Sequence, residues 1–540
     1  MISQVKNPTT KFRCKWLHSI YMLICGLGFL LSAQLSAQQV SGTFVGTGSL
    51  WSEATNWSSA TAPGFGSNHD ISTFNNDNIA ENGARTITVD GLFNLNKLDV
   101  LTSWNQTLTL TDGGGMGRGI RLGGTDAAIN LSGNAFLTVN ANVFLDASAK
   151  LDSYQSRMIF NAGKTIDIAS HNLLINTVIG SAEVQVRSTI AGTTGGIRKT
   201  GAGKLELYGA NTFGGGVQLH DGTLRIGGNT ALGSGALEIG NGVTPSNLMT
   251  IELLTPSLVL SNQIYWNNDL TIANGVTLTQ KSITFDYNGI VQLDNGIRQL
   301  NISDLTKVVF GRDFVLAGTG GLQVSGGSLS EVSFLNGNNT FSGGYVQWLR
   351  QATIGNGTTN ITLGALDSGH NYIGTGAVAV NGEGFTLSLN PGAGRTVNMR
   401  GGITLDYGAI LDVTNGFIVL DGAVLGYGAN NLGNKFIFRG DTTFDDANFV
   451  NSPDLYFTTT GLITIGGTGM GAGLNHMILN NTGTIALGAS AKNIGASQIR
   501  MERGVLALGA NDQIQAGTAL HMDAATALRA NGFSATFSGG

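Results

Sequence analysis

The stretch GKLELYGANTFGGGVQLHDGTLRI, residues 203–226, contains the pattern that decides the fold. In it and just beyond it, pairs of aliphatic residues flank a single polar residue: Leu205 and Leu207, Val217 and Leu219, Leu224 and Ile226, and Leu237 and Ile239. A spacing of two places both side chains of a pair on one face of a β-strand. Equivalent pairs begin at positions 205 and 224, and at positions 217 and 237, so equivalent strands return about every twenty residues.

A second run of aliphatic residues points to the same repeat length. Its members follow one another at short and nearly equal intervals: Leu258, Ile264, Leu270, Val276, Ile283 and Val291. Three such steps again come to about twenty residues, as expected for a coil with three strands per turn. An antiparallel sandwich is disfavoured because few Asn-Gly or Asp-Gly pairs lie midway between matched strands. The sequence therefore predicts an all-β fold, a right-handed parallel β-helix (a solenoid) with about three short strands per rung of about 20 residues.

The composition excludes several other classes of protein. Of 540 residues, 81 are Gly and 6 are Pro, and 41% are hydrophobic, 12% charged, with a net charge of −5. This much apolar surface argues against disorder, and the glycine content argues against a mainly helical chain. Glycine shows no collagen period. Glycine and asparagine instead suit the tight corners between short strands.

The first 37 residues have the features of a secretory signal peptide. A basic start precedes an apolar run from Ile20 to Leu31 and a small, polar end, with cleavage after Ala33 or Ala37 both left open. The apolar run is shorter than the ~20 residues of a membrane span, which disfavours the alternative of an uncleaved anchor. Cys14 and Cys25, both cysteines of the chain, lie in this segment. Cleavage after Ala37 removes four basic residues and gives 25 − 34 = −9, without a basic block. We therefore expect an exported protein that binds no nucleic acid and does not span a membrane after signal removal.

Longer repeats appear when the chain is compared with itself. Residues 209–217 return as 337–345, residues 233–239 as 374–380, and residues 222–229, more loosely, as 504–511. The residues predicted to define the repeat in a structural role are Gly203, Leu205, Leu207, Asn211, Thr212, Phe213, Gly215, Gly216, Gly222 and Leu224, with Asn339, Thr340, Phe341, Gly343 and Gly344 in the second copy.

These repeats resemble a known family. The segment GGIRKTGAGKLEL at 195–207, followed by NTF, GG and DGTL, resembles the autotransporter-associated β-strand repeat. The stretch WSEATNW at 51–57, with Ala62-Pro63 and Asp70, resembles the opening of large secreted proteins that carry this repeat. The resemblance implies a bacterial passenger-type rod, extracellular or on the cell surface in association with the outer membrane. It implies a structural repeat and brings no catalytic residue.

The predicted organisation has three parts. Residues 1–37 form the signal peptide, 38–110 an N-terminal cap region with the first strands, and 111–540 the β-helical repeat region, with the best repeats at 195–239, 317–380 and, in part, 504–540. Autotransporters end in a membrane β-barrel, whereas this chain stops in a repeat at Gly540. Any C-terminal anchor is thus absent from this chain, and we expect either a fragment or a protein released or retained by other means.

Few residues are candidates for chemistry, and no catalytic, metal or cofactor site is predicted. Asp445-Asp446 is the only adjacent acidic pair and is expected in a solvated turn. Arg439-Gly440-Asp441, a tripeptide used by some adhesion ligands, is expected to be a glycine turn. Trp51 and Trp57 could stack on sugars, but we expect them to cover the open first rung.

The sequence thus predicts a non-enzymatic exported rod for adhesion, matrix contact or surface display, with a surface, matrix or glycan partner. The alternative is a carbohydrate-active β-helix, a polysaccharide lyase or glycan-binding module, with aromatic and acidic groups along one groove. Three or more acidic or basic groups converging on one parallel sheet would count against the structural interpretation.

Overall fold

The computed structural model describes residues 39–535 apart from these gaps: 67–68, 76–83, 103–106, 116, 243–248, 276–277, 294–295, 356–358, 364–370, 415, 431–432, 460, 471–472 and 490–495. The predicted signal peptide lies outside the described residues. Within them, 47 strands and a single 3₁₀ turn at Ala54–Asn56 make up the regular structure.

The strands are short and follow one another along the whole chain. The first part contains β1 (Ser41–Thr43), β2 (Asp70–Asn75), β3 (Ala84–Thr88), β4 (Leu92–Thr102), β5 (Thr107–Thr111), β6 (Gly119–Leu122), β7 (Ala128–Gly133), β8 (Phe136–Asn140), β9 (Asn142–Leu145), β10 (Ala149–Ser153), β11 (Arg157–Phe160), β12 (Thr165–Ala169), β13 (Leu173–Thr177), β14 (Glu183–Val186), β15 (Thr189–Gly192) and β16 (Ile197–Thr200). The middle part contains β17 (Lys204–Leu207), β18 (Val217–Leu219), β19 (Thr223–Ile226), β20 (Leu237–Ile239), β21 (Met249–Leu253), β22 (Ser257–Leu260), β23 (Ile264–Trp266), β24 (Leu270–Ala273), β25 (Lys281–Phe285), β26 (Gly289–Gln292), β27 (Ile297–Ile302), β28 (Thr306–Phe310), β29 (Phe314–Ala317), β30 (Gly321–Gly326), β31 (Glu331–Phe334) and β32 (Tyr345–Trp348). The last part contains β33 (Gln351–Ile354), β34 (Ile361–Leu363), β35 (Val378–Asn381), β36 (Thr386–Leu389), β37 (Thr396–Asp406), β38 (Ile410–Val413), β39 (Phe417–Tyr427), β40 (Lys435–Phe438), β41 (Thr442–Val450), β42 (Asp454–Phe457), β43 (Gly461–Met470), β44 (Leu474–Leu487), β45 (Ala496–Ala507), β46 (Ala519–Met522) and β47 (Thr526–Arg529).

The strands coil into a parallel β-solenoid of about 17 turns, which confirms the predicted fold class. Most strands pair in parallel with their equivalents in the rungs above and below, as β10 does with β7 and β13. One ladder, which carries the groove described below, is called the first ladder. It contains β1, β2, β4, β7, β10, β13, β16, β18, β20 and β23 in that spatial order.

The rung length of about twenty residues predicted from residues 203–226 is correct for that part of the chain, but other rungs are longer. Leu205 lies beside Leu224, and Val217 lies beside Leu237, as the alternation predicts. From Leu258 the rung is longer than the predicted twenty residues, because Leu258 lies beside Ile283, the fourth member after it in the aliphatic run. Three strands, β22, β23 and β24, still make up this rung, as predicted. The rung that runs from Ile361 to Val397 is longer still. A longer corner loop adds little closure entropy, so the ladder keeps its register while the rung lengthens.

The core is a continuous column of inward-facing apolar side chains. Along β5 the burial alternates strictly between half-buried and buried residues, as a period of two requires. Phe310 stacks between Phe285 and Phe334, with ring centroids 5.9 Å and 4.9 Å apart. Such stacking arises because identical positions in successive rungs lie about 4.8 Å apart.

Aromatic side chains close the N-terminal end of this column. Trp51 is fully buried, Trp57 is 2% exposed, and their ring centroids lie 5.0 Å apart. The Trp51 indole donates a hydrogen bond to the Pro63 carbonyl, and the Trp57 indole donates to the Trp51 carbonyl. Both indoles are therefore part of the core of the first rung, and neither presents a face to a sugar.

Candidate functional site

The predicted repeat residues lie at matching corners of the solenoid. The side chain of Asn211 bridges two rungs, accepting from the Ile190 amide and donating to the Ala231 carbonyl, each at 2.7 Å. Asn339 does the same in the second copy: it accepts from the Leu316 amide at 2.7 Å and donates to the Tyr372 carbonyl at 2.6 Å. Each asparagine is buried and satisfies backbone groups that a corner would otherwise leave unpaired.

The remaining repeat residues surround these asparagines. Leu205, Leu207, Phe213, Leu224 and Phe341 are fully buried, whereas Thr212 and Thr340 are exposed. Gly222 has φ of +70°, a conformation that L side chains rarely adopt. A Cβ on Gly215 would lie 2.5 Å from the Thr194 carbonyl oxygen. Gly203, Gly216, Gly343 and Gly344 lie at or beside the corners of the same rungs. These contacts are all internal to the solenoid.

Two candidates from the sequence, the tripeptide at 439–441 and the acidic pair at 445–446, can now be placed in the fold. The Arg439 guanidinium donates two hydrogen bonds to the Asp412 carboxylate, at 2.8 Å and 2.9 Å, and this pairing raises the pKa of Arg439. The Asp441 carboxylate accepts from the Leu462 amide at 2.7 Å. Both charged side chains of the adhesion tripeptide are thus engaged by the chain itself. The acidic pair at 445–446 lies within β41 and not in the expected turn.

Charged groups do converge on one parallel sheet, around Arg225 of β19. Its guanidinium contacts Glu206 at 2.6 Å, Glu252 at 2.7 Å and Glu183 at 3.2 Å. Register explains the meeting, since Glu206, Arg225 and Glu252 occupy one position in three successive rungs. Burial raises the pKa of Glu206, while the Arg225 charge lowers it. The convergence meets the criterion that counts against a purely structural interpretation, but one arginine engages all three carboxylates.

An open groove on the outer face of the first ladder has a different character. It has a volume of about 720 Å³ and crosses β4, β7, β10, β13, β16 and β18. Its floor is one outward register position in six successive rungs: Lys97, Ala128, Lys150, Leu174, Arg198 and Gln218. We call these residues the groove floor.

Polar side chains form the two walls of the groove. On one side, the Ser148 hydroxyl accepts from the Asn172 amide at 3.0 Å, and the Asn172 side chain accepts from the Gly196 amide at 3.1 Å. On the other side Asn130 lines the groove. It belongs to a column of oxygen-bearing residues in register that runs beside the groove: Asp99, Asn130, Asp152, Asn176 and Thr200. Asn130 donates to Asp99 at 2.7 Å, and Asn176 donates to Asp152 at 2.8 Å.

The cations of the groove floor differ in their pairing. The Lys150 ammonium lies 2.5 Å from an Asp152 carboxylate oxygen. Among the described residues, no carboxylate lies within 4.0 Å of the Lys97 ammonium or the Arg198 guanidinium, although the exposed Asp126 also lines the groove. The groove therefore offers an elongated polar surface with two cations free to meet an anionic ligand. Sequence reasoning missed it, because its three cations lie far apart in the chain and only the register brings them into one line.

Aromatic residues are absent from the described lining of this groove. An exposed aromatic pair occurs elsewhere: Trp348 and Tyr407 are 40% and 41% exposed, with ring centroids 6.0 Å apart. The alternative predicted from sequence places aromatic and acidic groups along one groove, and the described lining of this groove does not combine them. Further along the same ladder, the acidic Glu238 of β20 lies beside Tyr265 of β23, which is 49% exposed.

Two other kinds of feature are absent from the described residues. No group of three or more His, Cys, Asp or Glu side chains is placed there to hold a metal ion. No helix long and apolar enough to cross a membrane occurs in the same part of the chain.

Comparison with known proteins identifies the repeat. Residues 197–226 match the passenger-associated-transport-repeat family. The chain is also similar to the adhesin BmaC autotransporter of Brucella suis biovar 1 (strain 1330), with 25% identity over 433 residues. This alignment covers 74% of the chain and 12% of the Brucella protein, so the chain spans only a small part of that relative's length. No solved structure matches the chain. The resemblance to autotransporter passenger repeats is thereby confirmed.

Proposed function

We propose that the chain is part of an exported, non-enzymatic adhesin of the autotransporter passenger type, which attaches to a surface or matrix ligand through the groove on the first ladder. The observation that carries the proposal is the groove itself, an open polar surface on a solenoid that carries a passenger repeat. Two of its three cations, Lys97 and Arg198, form no ion pair with the described residues. Similarity to a protein described as an adhesin supports the same role. The proposed location is the bacterial cell surface, in association with the outer membrane.

The distribution of charge supports binding over catalysis. General acid–base chemistry on a glycan needs two carboxyl groups free to reach one bond. Around Arg225, the three carboxylates are engaged by one guanidinium, and Glu206 is 2% exposed. In the column beside the groove, Asp99 and Asp152 accept hydrogen bonds from neighbouring asparagines, and Asp152 also pairs with Lys150. These carboxylates hold the solenoid surface in place.

The second candidate is a carbohydrate-active β-helix. The groove favours its glycan-binding form, because the Ser148 hydroxyl and the side-chain amides of Asn130, Asn172 and Gln218 are part of its lining. Such groups can hydrogen bond to sugar hydroxyls. A lyase would need a base held beside the cations, whereas Asp126 is an exposed carboxylate that forms no ion pair with the described residues of the groove.

Surface display tests the proposal. The full chain is fused to a heterologous outer-membrane anchor in a non-adherent bacterium, and adherence to immobilised matrix and to cultured cells is counted. We expect adherence above that of bacteria displaying the anchor alone. Display without added adherence would contradict the adhesin role. Release of unsaturated or reducing sugar ends from polysaccharides by the purified chain would favour the enzymatic candidate.

A further inference from the structure

We propose that the groove on the first ladder binds an acidic polysaccharide that carries one anionic group per disaccharide. The inference deepens the proposed function by naming the ligand class of the same surface. It depends on the proposed function in one respect, namely that the groove is the surface that contacts the ligand.

The spacing of the cations carries the argument. Lys97, Lys150 and Arg198 occupy alternate rungs of the groove floor, and the small or apolar residues Ala128 and Leu174 occupy the rungs between them. Adjacent strands lie ~4.8 Å apart, so successive cations recur at about 9.6 Å along the solenoid axis. That distance is close to the length of a disaccharide in an extended polysaccharide. A chain with an anion on every second sugar can therefore meet each cation in turn.

The charge state of the floor fits a ligand of this kind. Lys97 and Arg198, at the two ends, have no carboxylate within 4.0 Å among the described residues, whereas Lys150 between them is held by Asp152. Such cations attract anions from solution, and the exposed Asp126 carboxylate in the lining opposes part of this attraction. The ligand would bind Lys97 and Arg198 at the two ends, and its middle anion would share the Lys150 ammonium with Asp152.

The walls supply the contacts that a sugar chain requires beyond charge. Ser148 and Asn172 lie along one wall, and Asn130 lies along the other. Each asparagine amide has two donor hydrogens and two acceptor lone pairs, so its hydrogen bond within the ladder leaves capacity for a ligand hydroxyl. Ala128 has no side chain beyond Cβ, which leaves room over that rung for an uncharged sugar.

The spacing between cations also determines which linear polyanions fit the groove. In an extended acidic peptide, side chains on one face recur at about 6.8 Å, which does not match the ~9.6 Å between cations. A polysaccharide with an anion on every sugar would place alternate anions over Ala128 and Leu174, where the floor has no counter-charge. We therefore expect alternating anionic polysaccharides to bind more tightly than either.

Calorimetry on the full chain tests the inference with three probes. These are a hyaluronate decasaccharide, with a carboxylate on every second sugar, a decagalacturonate, with one on every sugar, and decaglutamate. We expect hyaluronate to bind most tightly, with an affinity that falls as salt rises. The double substitution Lys97→Ala and Arg198→Ala should weaken hyaluronate binding at least tenfold. The matched control is Lys307→Ala with Arg312→Ala, which removes the same charge elsewhere and should leave binding unchanged.

The outcomes distinguish this inference from the adhesin proposal. Absence of hyaluronate binding, equal binding of decagalacturonate or decaglutamate, or unchanged binding by the folded groove variant would overturn it. If adherence in the display assay persists while hyaluronate does not bind, the ligand class is wrong and the adhesin role stands. If hyaluronate binds as expected but displayed bacteria do not adhere, the adhesin role is wrong and the ligand class stands. Circular dichroism melting curves establish that each variant is folded.

Discussion

Lys199 is a single charged residue inside the core of the repeat that matches the passenger family. It is fully buried on the inner face of β16, next to the exposed Arg198 of the groove floor. Its ammonium donates to the carbonyls of Thr200 at 2.9 Å, Gly201 at 2.6 Å and Asp221 at 3.1 Å. Burial lowers the pKa of Lys199 to about 7, while the Asp221 charge raises it.

This burial predicts a pH dependence of stability. An unfolded lysine has a pKa of about 10.4, so between about pH 7 and pH 10 the unfolded chain binds more of this proton than the folded chain. The free energy of unfolding of the surrounding rungs should therefore rise with pH in that window. Lys199→Met should remove the rise, as measured by urea denaturation midpoints at pH 7 and pH 9.5. The half-exposed Lys204→Met is the control, and a variant at 199 that keeps the full rise would contradict the prediction.

The corner asparagines give a second prediction for single residues. Asn211→Ala would leave the Ile190 amide and the Ala231 carbonyl buried without their partners. Orphaned buried groups of this kind cost about 2 kcal/mol. We expect faster hydrogen exchange at the Ile190 amide and a lower denaturation midpoint. Thr212→Ala, at the exposed neighbour, should change neither, and equal effects of the two substitutions would refute a structural role specific to Asn211.

At the scale of strands and rungs, periodic features such as strand pairing could be predicted from the sequence, whereas features without a constant spacing could not. The pairing of Leu205 with Leu224 follows from alternation and a constant spacing. The long rung between Ile361 and Val397 could not be predicted, because a corner insertion leaves no periodic trace. The Arg225 group was missed for the same reason, since the chain from Glu206 to Arg225 is shorter than the chain from Arg225 to Glu252. Only the strand register in the structure shows that Glu206, Arg225 and Glu252 lie side by side.

The Arg225 group predicts a coupling between these strands. Arg225→Met would leave Glu206, which is almost fully buried, without the cation that lowers its pKa. Removing one partner of a buried ion pair costs about 3 kcal/mol at neutral pH. The pKa of Glu206 would rise further, so the folded state would bind its proton more readily and part of the lost stability should return as pH falls to 5.

Thermal denaturation at pH 7 and pH 5 measures this effect. Arg157→Met is the matched control, since Arg157 contacts the same Glu183 at 3.3 Å from a more exposed position. We expect little change for that control. An equal loss of stability at both pH values for Arg225→Met would show that lost packing, and not the uncompensated carboxylate, is the cause.

At the scale of the molecule, the solenoid makes a functional surface out of residues far apart in the chain. The floor of the groove takes one residue from each of six rungs, and the length of chain between neighbouring floor residues is equal only for the two steps from Lys150 to Arg198. Such unequal intervals hide the cation line from any sequence pattern. In such a solenoid, a substitution that destabilises one rung should affect mainly the adjacent rungs, because each rung contacts only its neighbours.

A destabilising substitution in one rung tests whether the effect stays local. Leu224 is fully buried in β19, between Leu205 and Ile251 of the adjacent rungs, so Leu224→Asp places an unpaired charge in the core. We expect hydrogen exchange to accelerate in β17, β19 and β21, while β38 and β40 keep the protection of the unsubstituted chain. Thr223→Asp, at a half-buried position of the same strand, is the control and should leave all of these strands protected. A uniform loss of protection along the whole chain would show instead that the solenoid unfolds as one cooperative unit.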